Sequence, residues 1–123
     1  MFDADSLKSK YTPNGPERVG FITKRGKMVE ATNIHPEPEN FFEVGLEELE
    51  ENIAKSKAIW HTQPGRTSQL SYEDYLGFLN FPEHLHVVIG YDGYRVYKVE
   101  DGSVLKDSIF AWQTPWFGIE RLG

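Results

Sequence analysis

The residues of this chain whose types and spacing could do chemistry lie between His61 and Asp74. His61 ends a short apolar stretch typical of a buried strand, and a loop rich in proline and glycine follows it. Ser71 and Asp74 then open the next helical pattern, three positions apart. An imidazole, a hydroxyl and a carboxylate aimed at one point are groups that a hydrolytic zinc site uses. The spacing therefore predicts a polar site where this strand, loop and helix meet.

The same residues also have purely structural explanations. A histidine at the end of a buried strand can be a hydrogen-bonded core residue. Ser-x-x-Asp before an apolar stripe is typical of a helix start, in which Ser71 accepts a hydrogen bond from the backbone near Asp74. Such a cap contributes about 1 kcal/mol, which is enough to explain both residues. From spacing alone, the metal and structural interpretations stay open.

The stretch resembles the JAMM (MPN-type) metallopeptidase domain, whose motif is an upstream glutamate, then His-x-His-Pro, then Ser-x-x-Asp. His61-Thr62-Gln63-Pro64 and Ser71-Tyr72-Glu73-Asp74 match that pattern, with ten residues between Gln63 and Asp74. Glu17 precedes a predicted strand, as the glutamate of the family does. Residues 33–41 are similar to the segment that follows in bacteriophage tail assembly proteins. The resemblance covers roughly residues 15–100, which is most of the chain.

The resemblance implies a role for each matched residue. His61 and Asp74 bind zinc, and Ser71 hydrogen-bonds the tetrahedral intermediate. Glu17 is the general base toward a metal-bound water, whose pKa zinc lowers to about 7. Without the resemblance, Glu17 is explained as an exposed acid after a proline. Gln63 stands where the family has a second histidine, and a carboxamide oxygen binds zinc less well than an imidazole nitrogen.

Two further histidines are candidate replacement ligands. His84 and His86 are two residues apart, which places them on one face of the following strand. Recruitment of one of them to the metal competes with a polar stripe on a half-exposed strand. His35 begins the proline-punctuated loop His35-Pro36-Glu37-Pro38 and is expected to be exposed.

Composition excludes several classes of protein. A chain of 123 residues makes one domain with a single core. The absence of cysteine excludes thiolate ligands, so zinc must bind nitrogen and oxygen. A net charge of −6 argues against nucleic acid as a partner. No apolar run is long enough to span a membrane, and the first residues lack a signal pattern, so we expect a cytoplasmic origin.

The hydrophobic pattern predicts a mixed sheet with flanking helices, an α/β (α+β) single domain over residues 1–123. The turn signals at Arg25-Gly26 and Asp92-Gly93 predict two hairpins, the second through a type I′ turn. The predicted helices cover residues 2–11, the stripe Leu46, Leu49, Ile53 and Ala54, and residues 71–80 with Tyr72, Tyr75, Leu76 and Leu79 facing inward. The predicted strands are 19–23, 27–32, 41–44, 58–61, 85–91, 94–99 and a short edge strand near Val104. The resemblance implies a JAMM/MPN-like, cytidine-deaminase-like fold.

Residues 107–123 form an aromatic segment that includes Trp112, Trp116 and Phe117. The segment either seals an edge of the core or docks on another chain, since Trp and Phe dominate the energy of many interfaces. Candidate partners are other phage tail proteins and a second copy of this chain. The resemblance implies a phage tail assembly or tail-tip protein in the host cytoplasm during assembly, and then in the virion tail. With Gln63 in the motif, we expect a weak or inactive peptidase; the alternatives are an active zinc-dependent (iso)peptidase and a non-catalytic binding module.

Overall fold

The computed structural model describes residues 2–113. Within this range the chain folds into three α-helices and six strands. In order these are α1 (Ala4–Lys10), β1 (Val19–Thr23), β2 (Met28–Ala31), α2 (Leu46–Asn52), β3 (Ser56–Thr62), α3 (Tyr72–Phe78), β4 (Leu85–Ile89), β5 (Gly93–Glu100) and β6 (Ser103–Ala111), and a 3₁₀ turn (Ile53–Lys55) links α2 to β3.

The six strands form a single mixed sheet in the order β2-β1-β3-β4-β5-β6. Among the described strands, β3 and β4 are the parallel pair, and the other neighbours are antiparallel. A parallel pair needs a crossover connection, and here the crossover carries the 63–71 loop and α3 from one strand to the other. The predicted mixed α/β single domain is therefore confirmed. The strand that ends near His61 is central in the sheet.

Local signals predicted the hairpins correctly but placed the type I′ turn at the wrong one. Asp101 and Gly102 join β5 to β6 with φ of 53° and 75°, the left-handed pair that a type I′ turn needs. Gly93 instead has φ of 150° and is already the first residue of β5, paired with Ala111. A Cβ at Gly93 would lie 1.9 Å from the Phe110 carbonyl oxygen, so close strand approach explains this glycine.

Three other predictions about the elements were wrong. Residues 41–44 form no strand and contribute only an isolated bridge between Asn33 and Val44. The edge strand near Val104 is nine residues long rather than short. In α3 the inward side carries Asp74 and Phe78, whereas Tyr72 is 73% exposed and Leu76 47% exposed. The capping box at the start of α3 turns Asp74 inward, which leaves Tyr72 and Leu76 on the outer side of the helix.

The sheet separates the buried residues into clusters on its two faces. Trp60, Ile22, Val87 and Val96 belong to one cluster, which α1 covers with Leu7 and Tyr11. The opposite face holds two smaller clusters around Phe21 and Phe78, and Leu49 and Ile53 of the α2 region pack against the Phe21 cluster. Leu46 and Ala54, the outer members of the predicted α2 stripe, are exposed. The smaller clusters leave space between them for a polar site.

Part of the aromatic C-terminal segment packs into the domain itself. Trp112 is 5% exposed, belongs to the same cluster as Trp60, and its Nε1 donates to the Gly90 carbonyl oxygen at 3.1 Å. Ile109 and Phe110 on β6 are exposed. Trp116 and Phe117 lie outside the described residues.

Candidate functional site

His61 and Asp74 meet in the space between β3 and α3. His61 is the next-to-last residue of β3, and Asp74 lies in the first turn of α3. The His61 Nε2 atom lies 3.1 Å from Asp74 Oδ2, and the two residues are 1% and 7% exposed. The structure thus brings together the two residues expected to bind metal. It joins them directly, as a buried hydrogen-bonded pair.

Burial and pairing act in opposite directions on these two groups. Burial alone lowers the pKa of His61, but the charge and hydrogen bond of Asp74, together with the charge of Glu17, outweigh it and raise the pKa above 6.5. Burial alone raises the pKa of Asp74, and the His61 charge and hydrogen bond outweigh it and lower the pKa below 3.8. Both shifts favour an imidazolium facing a carboxylate. A buried ion pair is therefore the expected state near neutral pH.

Ser71 and Asp74 also form the capping box that their spacing predicted. Ser71 Oγ accepts from the Asp74 backbone N–H at 3.1 Å, and Asp74 Oδ2 accepts from the Ser71 backbone N–H at 3.0 Å. The same Oδ2 atom thus serves the helix cap and the contact with His61. One oxygen of Asp74 therefore both caps α3 and contacts His61.

Gln63 is turned away from this pair and fastens the 63–71 loop. Its Nε2 donates to the carbonyl oxygens of Thr67 at 2.8 Å and Gln69 at 2.7 Å, and the residue is 2% exposed. Its side chain lines a separate cleft beside the cavity that contains His61 and Asp74. The carboxamide therefore satisfies loop carbonyls at the position where the resembled family has a metal-binding histidine.

Glu17, which without the resemblance is expected to be an exposed acid after a proline, is buried. It is 3% exposed, and its Oε2 accepts from Arg66 Nη2 at 2.7 Å. Burial raises the pKa of Glu17 to about 7; Asp74 adds to the rise, while His61 and Arg66 act against it. A buried carboxyl group that titrates near neutrality is suited to exchange protons.

Sequence reasoning missed Arg66 and Asn33, which hold Glu17 in place. Arg66 lies on the same loop as Gln63, and its guanidinium is 45% exposed. Asn33 Nδ2 donates to the backbone carbonyl oxygens of Glu17 at 2.9 Å and Phe41 at 3.0 Å, which ties the residue before β1 to the cavity wall. A basic residue inside the motif loop was a signal for the first. No signal in the sequence marked Asn33.

Around these polar groups lies a cavity of about 440 Å³ with largely aromatic walls. Glu17, His61, Ser71 and Asp74 line it, and Gln63 does not. Its aromatic lining residues are Phe21, Phe41, Phe42, Phe78 and Phe81. Phe42 stacks on the His61 ring with centroids 4.5 Å apart. The site is thus an apolar cavity with a small number of buried ionisable groups, the usual composition of a ligand-binding pocket.

The other histidines take three different positions. His86 also lines the cavity, its Nε2 lies 2.9 Å from the Phe81 carbonyl oxygen, and burial lowers its pKa to about 4, so it is neutral. His84 precedes β4, lies outside the cavity lining and contacts the Ile53 carbonyl oxygen at 2.8 Å. His35, expected to be exposed, is half-buried, lines the cavity and accepts from the Glu37 backbone N–H at 2.9 Å.

These positions decide whether the residues fit a zinc ion. Two ligands about 2.0–2.1 Å from zinc and set at the tetrahedral angle lie roughly 3.3 Å apart, close to the His61–Asp74 separation. A protein zinc site needs at least a third ligand, and Gln63 is directed to loop carbonyls. Among residues 2–113 no group of three or more His, Cys, Asp and Glu side chains is arranged to hold a metal. Two donors fit zinc, and the set as a whole does not.

Comparison with known proteins does not extend this picture. No model of a known protein family matches the chain, and no curated protein matches it significantly. In the part of the chain that the structure describes, no helix is long and apolar enough to cross a membrane.

Proposed function

We propose that this protein is a JAMM-like domain of a phage tail assembly or tail-tip system that binds partners and has little or no peptidase activity. The observation that carries the proposal is the engagement of Gln63, whose carboxamide donates to two loop carbonyls. A residue used in this way cannot complete a metal site with His61 and Asp74. The similarity of residues 33–41 to tail assembly proteins supports the phage context. The protein acts in the host cytoplasm during assembly and then in the virion tail, with other tail proteins as partners.

Charge compensation inside the site supports the same proposal. In a zinc site, the cation stabilises the buried carboxylates. Here the His61 imidazolium faces Asp74 and the Arg66 guanidinium faces Glu17. Protein cations thus supply positive charge where a metal would otherwise supply it.

One observation favours an active zinc-dependent (iso)peptidase as the second candidate. Glu17 is buried in the cavity wall with a pKa of about 7, as a general base requires, and His61 and Asp74 have a separation close to that of two zinc ligands. Ser71 lines the same cavity. If a third ligand came from outside the described geometry, such a site could act on a peptide bond in tail assembly or in the cell wall.

Metal analysis separates the two candidates. Protein purified without chelators and dialysed against zinc is expected to hold well under one zinc per chain. Gln63→His adds an imidazole at the missing position and is expected to raise the zinc content. Gln69→His places the same residue on the same loop at an exposed position and serves as the control. One tightly held zinc per chain in the unmodified protein, together with hydrolysis of a peptide substrate, would overturn the proposal.

A further inference from the structure

Glu17 is a buried carboxylate that is only partly satisfied. Ionised carboxylate oxygens together accept about four hydrogen bonds. Within residues 2–113, Glu17 accepts one side-chain bond, through Oε2 from Arg66, and its Oε1 has no side-chain partner. The residue is 3% exposed and lines the cavity. A buried acceptor of this kind favours a ligand that brings hydrogen-bond donors.

The charges around the cavity favour one sign of charge on that ligand. Glu43 and Glu73 are exposed acids in its lining, and the His61–Asp74 pair contributes no net charge. None of the described residues that line the cavity is a lysine or an arginine. Arg66 is bound to Glu17 and lines the neighbouring cleft. A cationic group entering the cavity therefore meets carboxylates without a facing ammonium or guanidinium.

The walls select the shape of the ligand. The half-buried rings of Phe41, Phe42 and Phe81 line the cavity, and aromatic faces attract ammonium and guanidinium groups. A volume of about 440 Å³ is far larger than a bare metal ion needs and holds an extended side chain. An alkyl stem packs on the rings while its charged end reaches Glu17, as long basic side chains do at other apolar surfaces.

We infer that this cavity binds a basic side chain, from a lysine or an arginine of a partner protein, with its cationic end on Glu17. The inference rests on the proposed function, since it assigns the space beside His61 and Asp74 to a partner residue. An apolar side chain would fill the cavity but would cover Glu17 Oε1 without a donor. An acidic side chain would face the exposed acids of the lining. The partner is therefore a protein that presents a protruding basic residue.

The experiment compares two model ligands of equal length in nuclear magnetic resonance titrations of the intact protein. Nα-acetyl-lysine amide carries the ammonium, and the amide of Nα-acetyl-2-aminoheptanoic acid replaces it with a methyl group. We expect the lysine ligand to bind about tenfold more tightly, which is the effect of one charge-assisted hydrogen bond. The shifted resonances should include Phe42 and Phe81. Equal binding of the two ligands, or no shift at the cavity, would overturn the inference.

Two variants and a third ligand sharpen the result. Glu17→Gln should abolish the preference for lysine, while Glu47→Gln, an exposed glutamate outside the cavity lining, should keep it. Tighter binding of spermidine than of the lysine ligand would overturn a protein source for the cation. Zinc content is measured on the same samples. One tightly held zinc per chain together with peptide hydrolysis defeats the proposed function, whereas absent zinc with no lysine preference defeats this inference alone.

Discussion

Arg66 Nη2 lies 2.7 Å from Glu17 Oε2, and this contact joins an exposed guanidinium to a buried carboxylate 49 positions earlier in the chain. The guanidinium is 45% exposed and the Glu17 side chain 3% exposed, so the pair crosses from solvent into the cavity wall. Arg66 compensates only part of the effect of burial, because the pKa of Glu17 is still raised to about 7. Glu17 thus changes its charge within the physiological range, at the boundary between the cavity and the cleft that Arg66 lines.

The first prediction is that the titration of Glu17 lowers the free energy of unfolding as pH rises. Its folded pKa of about 7 lies above its ordinary value of 4.5, so the folded state binds more protons than the unfolded state between these values. The free energy of unfolding should therefore fall across this window, by about 3 kcal/mol for this group, and should be level above it. Glu17→Gln should remove this part of the fall. Urea unfolding of both proteins at about pH 4.5 and pH 8 measures it.

Neighbouring groups make a control necessary for this prediction. His61 on β3, Asp74 on α3 and Arg66 on the loop all act on Glu17, and His61 itself loses its proton at high pH. The relevant quantity is the free energy of unfolding of Glu17→Gln minus that of the unmodified protein. This difference should grow as pH rises. Glu47→Gln should show no such growth, since that glutamate is exposed. A difference that stays constant with pH would show that Glu17 does not titrate near neutrality.

The second prediction is that Gln63 stabilises the loop as a hydrogen-bond donor. A glutamate at this position has nearly the same shape but cannot donate to the Thr67 and Gln69 carbonyl oxygens. Gln63→Glu should therefore lower the free energy of unfolding by about 2–4 kcal/mol, since two partly buried acceptors lose their donor and face a carboxylate. Gln69→Glu changes an exposed side chain on the same loop and should stay within about 0.5 kcal/mol. Equal stability of the two variants would contradict the assigned role of Gln63.

The sequence predicted those parts of the fold that depend on local signals. The Ser71–Asp74 cap, the hairpins and the central strand that ends near His61 follow from turn residues, capping residues and apolar runs. The structure of segment 41–44 could not be predicted in this way. Its composition is typical of a strand, but its residues line a cavity instead. The inward face of α3 was also missed, since Tyr72 and Leu76 are apolar but exposed and the buried position belongs to Asp74.

The site could be predicted only as a set of residues. The family pattern selected His61, Asp74, Ser71 and Glu17, and all four line one cavity. The direction of the Gln63 side chain depends on carbonyl groups of the loop, and no sequence pattern specifies where these point. The partner of Glu17 is likewise a contact between distant segments, and spacing along the chain carries no information about it.

The third prediction concerns Gly90, against which the 63–71 loop packs. A Cβ at Gly90 would lie 2.3 Å from the Ser68 nitrogen and 2.8 Å from the Arg66 carbonyl oxygen. Gly90→Ala should push the loop outward, lower the free energy of unfolding by about 1–3 kcal/mol, and weaken the contact between Arg66 and Glu17. Without its guanidinium partner, the pKa of Glu17 should rise further, which a carboxyl titration by nuclear magnetic resonance detects. Gly77→Ala, where an added Cβ meets open space, is the control. An unchanged pKa in Gly90→Ala would show that the loop is not held by this contact.

The last prediction separates the two roles of Asp74, the helix cap and the partner of His61. His61 limits the stability contribution of the pair at high pH, and Asp74 limits it at low pH. The His61 contribution is fully present below about pH 6.5 and is lost as pH rises through the raised folded pKa. The Asp74 contribution is present above about pH 3.8 and is lost as pH falls through the lowered folded pKa.

Asp74→Asn keeps an oxygen that can accept from the Ser71 backbone N–H but removes the charge. Its loss of stability should therefore be largest between about pH 4 and pH 6.5, about 3 kcal/mol, and should shrink above that range. Ser71→Ala removes the other half of the cap and should lose about 1 kcal/mol at every pH. Urea unfolding of the two variants from about pH 4 to pH 9, with chelator present, compares the profiles. If both losses are equal and independent of pH, Asp74 acts as a cap alone and the buried ion pair is not formed.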